Sequence, residues 1–381
     1  MGYLDSNMNY RDILKFYKGK KVLITGNTGF KGSWLTYILQ KANAKIAGYS
    51  LKPPTVPSLF DIARIVENVD INQTYGDIRD IDSMKRTFEA FKPEIVFHMA
   101  AQPIVRYSYS NPVDTYSVNV MGTVNVCECV RQNDSVCSFV NITTDKVYKN
   151  NEWVYGYRET DILDGHDPYS NSKSCSELIT HSYKDSFLGD SRVRISTARA
   201  GNVIGGGDFS VDRIIPDCVR AVSASNGVIH VRNPYAIRPY EHVLEPLFAY
   251  LMIAKAQYED EEYAGCYNIG PDGSDCVTTG DLAELFCSKW NEGAPVVSAS
   301  WQNKSDKNAP HEANFLRLDC SKLKSVFGWK PRWHIEKAVE EVVSFTKVWL
   351  NSGDIKAEMD REISEFIWEP KQAKKKGSLR K

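Results

Sequence analysis

The sequence predicts an α/β protein: a doubly wound parallel sheet with a smaller, mostly helical C-terminal domain built from insertions. Two observations lead to this fold class. Through the first 200 residues, short apolar runs alternate with segments of helical periodicity, a pattern typical of a parallel sheet covered by helices on both faces. The first apolar run also leads directly into a glycine-rich turn that opens a predicted helix.

The elements of this sheet follow from the apolar runs and their spacing. Runs bounded by turn residues predict buried strands at Lys21–Thr25, 45–51, 93–100, 136–143 and Arg194–Ala200. Apolar residues at helical spacing predict helices at 33–42, 80–91, 115–133 and 170–187. We therefore expect each helix to connect two parallel strands.

The pattern loosens after residue 200. A triple glycine at 205–207 predicts a flexible turn, and prolines punctuate the stretch that follows. We expect a helix at 241–255, a strand and turn at 265–270, and helices with short loops at 277–350. The expected division is a sheet domain at 1–200 to which 241–270 returns, a second domain at 201–240 and 271–365, and a basic tail at 366–381.

Composition excludes several classes of protein. Of the 381 residues, 42% are hydrophobic and 25% are charged, which excludes a disordered, collagen-like or coiled-coil chain. The formal net charge of −1 gives no indication of a nucleic-acid or membrane-surface ligand. The nine cysteines and seven histidines lack metal-ligand spacing, so we expect reduced thiols, no metal and a cytoplasmic protein. The longest apolar stretch, 247–254, is far shorter than the ~20 residues that span a bilayer.

The turn after the first strand reads Gly26-Asn-Thr-Gly29-Phe-Lys-Gly32. Glycines allow the backbone to approach a pyrophosphate, and the N-terminus of the following helix favours negative charge. In this strand–turn–helix context the motif indicates a Rossmann-type dinucleotide site rather than a plain glycine-rich turn.

The end of the second strand leaves the choice between NAD and NADP open. An acidic residue there would bind the adenosine ribose, but residues 47–52 contain no carboxylate. Lys31 would favour a 2′-phosphate, or it is simply solvated. Asp77 lies where a loop after the third strand would contact the adenine, or it caps the next helix.

A tyrosine and a lysine in the last long helix of the sheet domain form a second motif, Tyr169-Ser-Asn-Ser-Lys173. At this spacing the two side chains lie on one face of a helix. We expect the ammonium of Lys173 to lower the pKa of Tyr169 from about 10. A tyrosine of this kind removes a proton from a carbinol during hydride transfer.

A third motif, Thr144-Asp145-Lys146, follows a predicted strand. Thr144 offers a hydroxyl to a substrate oxygen, and Asp145 with Lys146 adds an acid/base pair beside it. A simple reductase needs only the hydroxyl and the Tyr169–Lys173 pair. The charged pair therefore suggests further proton transfers, unless it is an exposed turn.

Basic residues gather in the irregular stretch after the sheet domain. They are Arg199, which precedes Asn202, and then Arg213, Arg232, Arg238 and His242. Guanidinium groups suit diphosphates because they donate paired hydrogen bonds. Arg232 and Arg238 flank a proline-rich segment, which favours binding over a chance surface charge.

With these motifs the chain resembles the extended short-chain dehydrogenase/reductases of the NAD-dependent epimerase/dehydratase family, and more narrowly the CDP-D-glucose 4,6-dehydratases. The narrow resemblance rests on stretches that run from about residue 16 to 365: 26–34, 97–103, 144–146, 169–173, 199–208, 232–239, 311–313 and 318–321. Asp145–Lys146 is its sharpest marker. The chain departs from the family at Asn27, where a histidine is expected, and at Tyr240-Glu241, where Trp-Gln is expected.

The resemblance implies NAD as the cofactor and a nucleotide sugar, CDP-glucose, as the substrate. It implies C4 oxidation, loss of water across C5 and C6, and return of the hydride to C6. Thr144, Asp145, Lys146, Tyr169 and Lys173 are the implied catalytic residues. Lys146 takes the place of the C5 base, and it acts as a neutral base, steers a water or stabilises an enolate.

The implied binding residues form two sets. The cofactor set is Gly26, Thr28, Gly29, Phe30, Lys31, Gly32, Asp77, Ile78, Ala100, Ala101, Gln102, Asn119, Thr143, Tyr169 and Lys173. The substrate set is Gln102, Asn202, Arg213, Arg232, Arg238, His242 and Glu312.

Three further readings stay open at this stage. A nucleotide-sugar 4-epimerase or reductase, or a dehydratase for another nucleotide sugar, would share most of these residues. A non-catalytic NAD-binding sensor would have no need of Tyr169 and Lys173. A homodimer, or a tetramer, would form through the helices at 115–133 and 170–187, with Val120, Val124 and Cys127 either as its apolar stripe or facing the sheet.

Overall fold

A computed structural model describes residues 9–67, 71–189, 191–224, 226–293, 295–305 and 315–368. The strands, in chain order, are β1 Lys21–Thr25, β2 Lys45–Ser50, β3 Ile71–Tyr75, β4 Ile95–His98, β5 Ser138–Thr144, β6 Arg194–Ala200, β7 Asn202–Ile204, β8 Val228–Val231, β9 Ile237–His242, β10 Cys266–Ile269, β11 Cys276–Thr278 and β12 Ser300–Asn303.

The helices of the same residues are α1 Tyr10–Tyr17, α2 Phe30–Lys41, α3 Leu59–Ile62, α4 Ile81–Phe91, α5 Val105–Ser110, α6 Pro112–Tyr116, α7 Gly122–Arg131, α8 Pro168–Phe187, α9 Ile214–Ser223, α10 Leu244–Glu259, α11 Thr279–Asn291, α12 Ser321–Phe327, α13 Ile335–Leu350 and α14 Ile355–Ile367. A π-helical turn, Ser117–Met121, joins α6 to α7.

The main sheet has seven strands in the order β10-β6-β5-β4-β1-β2-β3, and all of its pairs are parallel. The strand order changes direction between β1 and β4, which creates a crevice at the carboxyl ends of these two strands. The predicted doubly wound parallel sheet is confirmed. The same topology brings the ends of β1, β4 and β5 to one edge of the sheet.

Burial explains why the sheet strands read as apolar runs. All seven residues of β5 are buried, and β1 is buried from its second residue onward. Parallel strands covered by helices on both faces have no solvent side, so their sequences do not alternate. Helix α10 lies against β5 and β6 and is buried over most of its length, which accounts for its apolar sequence.

Two small sheets and several helices form a second region. Its sheets have the orders β11-β9-β7 and β12-β8. A separate apolar cluster draws on α9, α11 and α13 together with these strands. Strand β12 interrupts the stretch in which the sequence predicted helices with short loops, because it pairs with β8, a contact between segments far apart in the chain.

Three local predictions are wrong. Residues 241–242 belong to β9 rather than to a helix, since β9 pairs with both β7 and β11. The helix predicted at 115–133 is divided by the π-helical turn. The triple glycine is packed rather than flexible: a Cβ on Gly206 would come within 2.1 Å of the Phe345 ring, and Trp34 Nε1 donates to the Gly206 carbonyl at 3.0 Å.

Within the described residues, no helix combines the length and the apolar character that a membrane span requires. Most of the predicted basic tail, residues 369–381, lies outside the described residues.

Candidate active site

The glycine-rich turn between β1 and α2 is sterically tight. Gly26 has φ +74°, and a Cβ there would come within 2.7 Å of the Ala100 backbone. A Cβ on Gly32 would meet the Gly26 carbonyl oxygen at 2.2 Å. The turn therefore requires glycine at both positions. It leaves a concave backbone surface at the N-terminus of α2, where an anion is stabilised by backbone N–H groups.

Polar side chains fix this turn to the neighbouring strand ends. Thr28 Oγ1 donates to the Leu51 carbonyl at 2.9 Å, so its hydroxyl is used by the fold. Asn27 is buried, accepts from Ser50 at 2.8 Å and donates to Gln73 at 2.6 Å. The asparagine that departs from the family thus links the turn to β2 and β3.

Asp77 is paired within its own loop. Its carboxylate accepts from the guanidinium of Arg79, with Nη2 at 2.6 Å, and this pairing lowers the pKa of Asp77. The cap of α4 is Asp80, which accepts from Ser83 N, so the helix-cap alternative for Asp77 is wrong. Ile78 is buried against Gly122, and Asn125 binds its carbonyl at 2.9 Å. The loop is held in place at the end of β3.

The segment after β4 is clamped by Asn119. The Asn119 side chain accepts from Gln102 N at 2.8 Å and donates to the Gln102 carbonyl at 3.0 Å. It also donates to Ser172 on α8 at 2.9 Å. The Gln102 side chain turns back on its own loop and donates to Thr115 at 2.9 Å. Asn119 therefore connects the cofactor edge of the sheet to the helix that carries Tyr169.

Thr25 fixes the start of the same segment. Its hydroxyl accepts from the backbone N–H of Met99 and of Ala100, at 3.1 and 3.2 Å. Ala100 and Ala101 are half-buried at the carboxyl end of β4. The Ala100 backbone lies across the turn from Gly26, and both alanines stay predicted cofactor contacts.

Lys31 points toward the centre of the site. Its ammonium lies 5.8 Å from the centroid of the Tyr250 ring, and α10 carries that ring. Burial and the nearby Arg213 lower the pKa of Lys31 to about 8. The charged groups that act on Lys31 are Arg213, Glu241 and Asp145, none of which belongs to β2, so Lys31 gives no argument for NADP.

Tyr169 and Lys173 lie one turn apart near the start of α8, whose N-cap Asp167 accepts from Ser170 N. Burial raises the pKa of Tyr169 to about 12, although a hydrogen bond to Thr144 and the charge of Arg213 act in the opposite direction. Burial lowers the pKa of Lys173 to about 8, and Lys173 Nζ donates to the Ile142 carbonyl at 3.3 Å. The expectation that Lys173 lowers the pKa of Tyr169 is wrong for the protein alone, because desolvation of the phenolate dominates.

The third motif forms a connected group at the end of β5. Thr144 Oγ1 donates to Asp145 Oδ1 at 2.9 Å, and Lys146 Nζ donates to the same oxygen at 3.1 Å. Lys146 also donates to Asn202 Oδ1 at 3.2 Å. Asp145 is fully buried, and its Oδ2 makes no hydrogen bond within the described part of the chain. The exposed-turn alternative is therefore excluded.

Arg199 is a structural residue. It is fully buried and forms a bidentate pair with Glu177, Nε at 3.0 Å and Nη2 at 2.9 Å, and it donates to Tyr148 at 2.6 Å. The suggestion that it suits a diphosphate is wrong. Glu177 also accepts from Thr143, so this side chain, which the sequence analysis missed, anchors β5 and β6 to α8. Glu177 lies four residues after Lys173, on the same face of the helix, and this spacing is the sequence signal that could have identified it.

The other arginines remain candidates for the substrate. Arg213 pairs with Asp208 at 3.3 Å, and its charge acts on both Lys31 and Tyr169. Arg232 pairs with Asp212 and Asp217 on the surface. Arg238 is mostly buried and donates to the Ile237 carbonyl at 3.0 Å. Of the three, the surroundings of Arg213 place it nearest to Tyr169.

His242 does not line the site. It is fully buried, its Nε2 lies 3.3 Å from Glu362, and its ring is 4.8 Å from that of Trp333. Burial lowers its pKa to about 3. The prediction that His242 binds substrate is contradicted, because its neighbours belong to the core. Glu312 lies outside the described residues.

Glu241 is a buried carboxyl group that the sequence analysis left without a role. It is 2% exposed, and its register neighbour Val203 follows the Asn202 that contacts Lys146. Burial, and then the nearby Glu245, raise the pKa of Glu241 well above its ordinary value. A raised pKa favours the uncharged carboxyl group, which is close in shape to the glutamine side chain that the family resemblance implies at this position.

A parallel sheet with a glycine turn after β1 and a Tyr-Lys helix after β5 defines the class of extended short-chain dehydrogenase/reductases. Residues 23–342 match the family model described as GDP-mannose 4,6 dehydratase, and the chain belongs to this family.

Three known proteins that are similar to this chain illustrate the family. The CDP-glucose 4,6-dehydratase of Salmonella typhimurium is 45% identical over 358 residues, which cover 92% of this chain and 97% of that protein. The CDP-paratose 2-epimerase of Salmonella typhi is 27% identical over 86% of this chain and 99% of its own length. The dTDP-glucose 4,6-dehydratase of Bacillus anthracis, solved with NAD, has a TM-score of 0.70 at 19% identity and covers 86% of this chain and 97% of that chain.

Proposed function

We propose that this chain is a lyase that converts CDP-D-glucose to CDP-4-keto-6-deoxy-D-glucose with NAD as a resident cofactor. The observation that carries this function is the hydrogen-bonded group of Thr144, Asp145 and Lys146 beside Tyr169. Hydride transfer alone needs Tyr169 and Lys173, whereas removal of water needs an additional acid and base. The 45% identity to a CDP-glucose 4,6-dehydratase over nearly its full length supports the choice of substrate.

The site fits a dinucleotide. The tight glycine turn offers backbone to a pyrophosphate, and a Cβ at Gly26 or Gly32 would collide with neighbouring backbone and displace the turn. Phe30 and Lys31 begin the helix at its edge, and Asp77, Ile78 and the 100–102 segment border it. When bound, NAD accepts a hydride from a carbinol carbon and returns it later in the cycle.

Tyr169 is the residue that takes the proton of the sugar 4-hydroxyl in this proposal. With a pKa near 12 it is a neutral phenol in the protein alone, so it accepts this proton only after it has released its own to solvent, and that release requires a positive charge close to the phenolate. Lys173, with a pKa of about 8, is mostly protonated at neutral pH and contributes part of this charge, and a bound cofactor would have to contribute the rest. Thr144 holds the oxygen by a second hydrogen bond. The resulting 4-ketone makes the hydrogen on C5 acidic.

Asp145 and Lys146 then perform the elimination. A proton moves from Lys146 to Asp145 along their 3.1 Å hydrogen bond and leaves a neutral amine beside a neutral carboxylic acid. Lys146 takes the proton from C5, the bond between C6 and oxygen breaks, and Asp145 protonates the departing hydroxyl to give water. The hydrogen bond between Lys146 and Asp145 thus supports both the base and the acid of the elimination.

The direct test is incubation of the purified protein with CDP-glucose and, in parallel, with the dTDP-, UDP- and GDP-glucose analogues, followed by mass spectrometry. Loss of one water from CDP-glucose is the expected result. Loss from another nucleotide sugar would keep the chemistry and reject the base. A product of unchanged mass with altered stereochemistry would indicate an epimerase. No reaction, with Tyr169→Phe unchanged in biological activity, would favour a sensor.

We also propose a homodimer, a cytoplasmic location and the two-domain division expected from the sequence. The dimer is supported by apolar side chains on the π-helical turn and α8 that are more than half exposed, Met121 at 52%, Leu178 at 53% and Phe187 at 56%. Cys127 is fully buried against the sheet, so it is not part of such a stripe.

The cytoplasmic location is supported by the cysteines. All nine cysteines are free, which is consistent with a reducing compartment.

A further inference from the structure

One face of α8 carries a row of four polar side chains, each four residues from the next: Tyr169, Lys173, Glu177 and His181. At the end remote from Tyr169, His181 Nε2 lies 3.0 Å from the sulfur of Cys266. Cys266 is the first residue of β10, an edge strand of the main sheet, and it is half-buried. The proposed dehydration uses neither His181 nor Cys266.

The charges around this pair favour a thiolate. Burial is the largest single influence and raises the pKa of Cys266, but the hydrogen bond to His181 and the charges of Arg199 and His181 together outweigh burial and Glu177 and leave the pKa of the thiol lowered. The same contact raises the pKa of His181. Arg199 and Glu177 are themselves paired, and Lys322 Nζ binds the Cys266 carbonyl at 2.8 Å. A thiol that donates its proton to an adjacent imidazole is a nucleophile near neutral pH.

Small molecules have space beside the sulfur. A cavity of about 30 Å³ is lined by both members of the pair together with Lys184, Thr197 and Gly265. This volume holds about two water molecules, the size of one molecule of hydrogen peroxide. Glu177 completes a set of three potential metal ligands with this pair. A metal is disfavoured, however, because Arg199 occupies both Glu177 oxygens and would repel a cation.

We propose that Cys266, activated by His181, is a reactive thiol site that takes small electrophiles of the peroxide class. In the reaction the thiolate sulfur attacks one peroxide oxygen, and the oxygen–oxygen bond breaks. The sulfur is oxidised to a sulfenic acid. The second oxygen leaves as hydroxide and takes the proton of the His181 imidazolium to form water. The peroxide is the oxidant and is consumed one to one.

The test is residue-resolved labelling of the full-length protein. Brief treatment with hydrogen peroxide, capture of sulfenic acid with a dimedone probe and peptide mass spectrometry would report each cysteine. Cys175 and Cys276 are also half-buried and provide internal controls. We expect the adduct on Cys266 to form at least tenfold faster than on either control at pH 7.

Two variants separate activation by His181 from simple accessibility. His181→Asn keeps a polar side chain of similar size at a half-exposed position, and circular dichroism would verify its fold. We expect it to reduce the Cys266 rate to that of the controls, whereas Cys175→Ser leaves the rate unchanged. Equal rates at Cys266 in the parent and in His181→Asn, or faster labelling of Cys175 or Cys276, would overturn the proposal. Since Cys266→Ser is expected to retain dehydration, failure here and failure of the proposed function are distinguishable.

Discussion

At the scale of single residues, the site depends on groups whose protonation is set by burial. Burial raises the pKa of Tyr169 to about 12 and lowers that of Lys173 to about 8, so Tyr169 is neutral in the protein alone while Lys173 is mostly charged at neutral pH. Asp145 has one oxygen held by Thr144 and Lys146, and its second oxygen makes no hydrogen bond within the described residues.

Replacement of Tyr169 by phenylalanine removes the proton acceptor and retains the ring. We expect the rate of dehydration to fall by about 10²–10⁴-fold, the usual contribution of a positioned acid–base group. Affinity for CDP-glucose, measured by calorimetry, should change little. A variant of near-normal rate would show that another group accepts the proton.

The proposed base, Lys146, and the proposed acid, Asp145, are distinguished by exchange of the C5 hydrogen with solvent. With Lys146→Met the C5 hydrogen has no base, so we expect neither loss of water nor exchange of C5 hydrogen in deuterium oxide. With Asp145→Asn the acid is lost and Lys146 must release its proton to solvent instead of to Asp145, so exchange should continue at a reduced rate without release of water. Nuclear magnetic resonance of recovered CDP-glucose measures both. Equal exchange in the two variants would contradict the assigned roles.

Glu241 provides a test of pH dependence. Its raised pKa means that the folded protein keeps a proton that the unfolded chain loses above about pH 4.3, so this residue makes stability fall as the pH rises from that value. Glu241→Gln is uncharged at every pH. We expect it to retain activity and to be more stable than the parent at pH 8, with the difference shrinking toward pH 4 in urea unfolding. A variant that is less stable at pH 8 would show that Glu241 is ionised and paired.

At the scale of elements, the turn between β1 and α2 is the segment that we propose binds the dinucleotide. A methyl group on Gly32 would lie 2.2 Å from a backbone oxygen, while one on Gly29 would meet only an ordinary contact at 3.4 Å. These two glycines are in the same turn, so they form a matched pair.

Gly32→Ala should displace the turn. We expect a loss of about 1–3 kcal/mol of stability, as for other overpacked sites, together with at least tenfold weaker NAD binding. Gly29→Ala should lose markedly less of both. Thermal unfolding and fluorescence titration with NAD check this expectation. Similar effects at the two positions would mean that the close backbone approach at Gly32 is not the constraint.

At the scale of the whole molecule, the proposed dimer covers the exposed side chains of the π-helical turn and α8. Leu178→Glu places a charge in this face, and we expect it to convert the dimer to a monomer in light scattering. Val296, which is fully exposed in a loop of the second region, provides the control, since Val296→Glu should leave the mass unchanged. A monomeric parent, or a dimer that survives Leu178→Glu, would reject this interface.

Much of the fold followed from sequence because its causes are local. The strands at Lys21–Thr25 and Arg194–Ala200 have the predicted bounds, since parallel strands buried on both faces are continuous apolar runs. Glycine spacing located the turn, because only glycine fits its backbone. The motif at 144–146 and the Tyr169–Lys173 spacing placed the chemistry at one edge of the sheet, since parallel strands end together.

Tertiary structure alone decided which polar residues belong to the core. Arg199 and His242 have the composition of ligands, yet contacts with Glu177 and with Glu362 bury them completely. Glu241 belongs to a strand rather than a helix because distant strands pair with it. Burial also set the pKa of Tyr169 and brought His181 to Cys266, 85 residues away in the chain. Desolvation and long-range pairing depend on where the whole chain places a residue, and local sequence carries no record of that position.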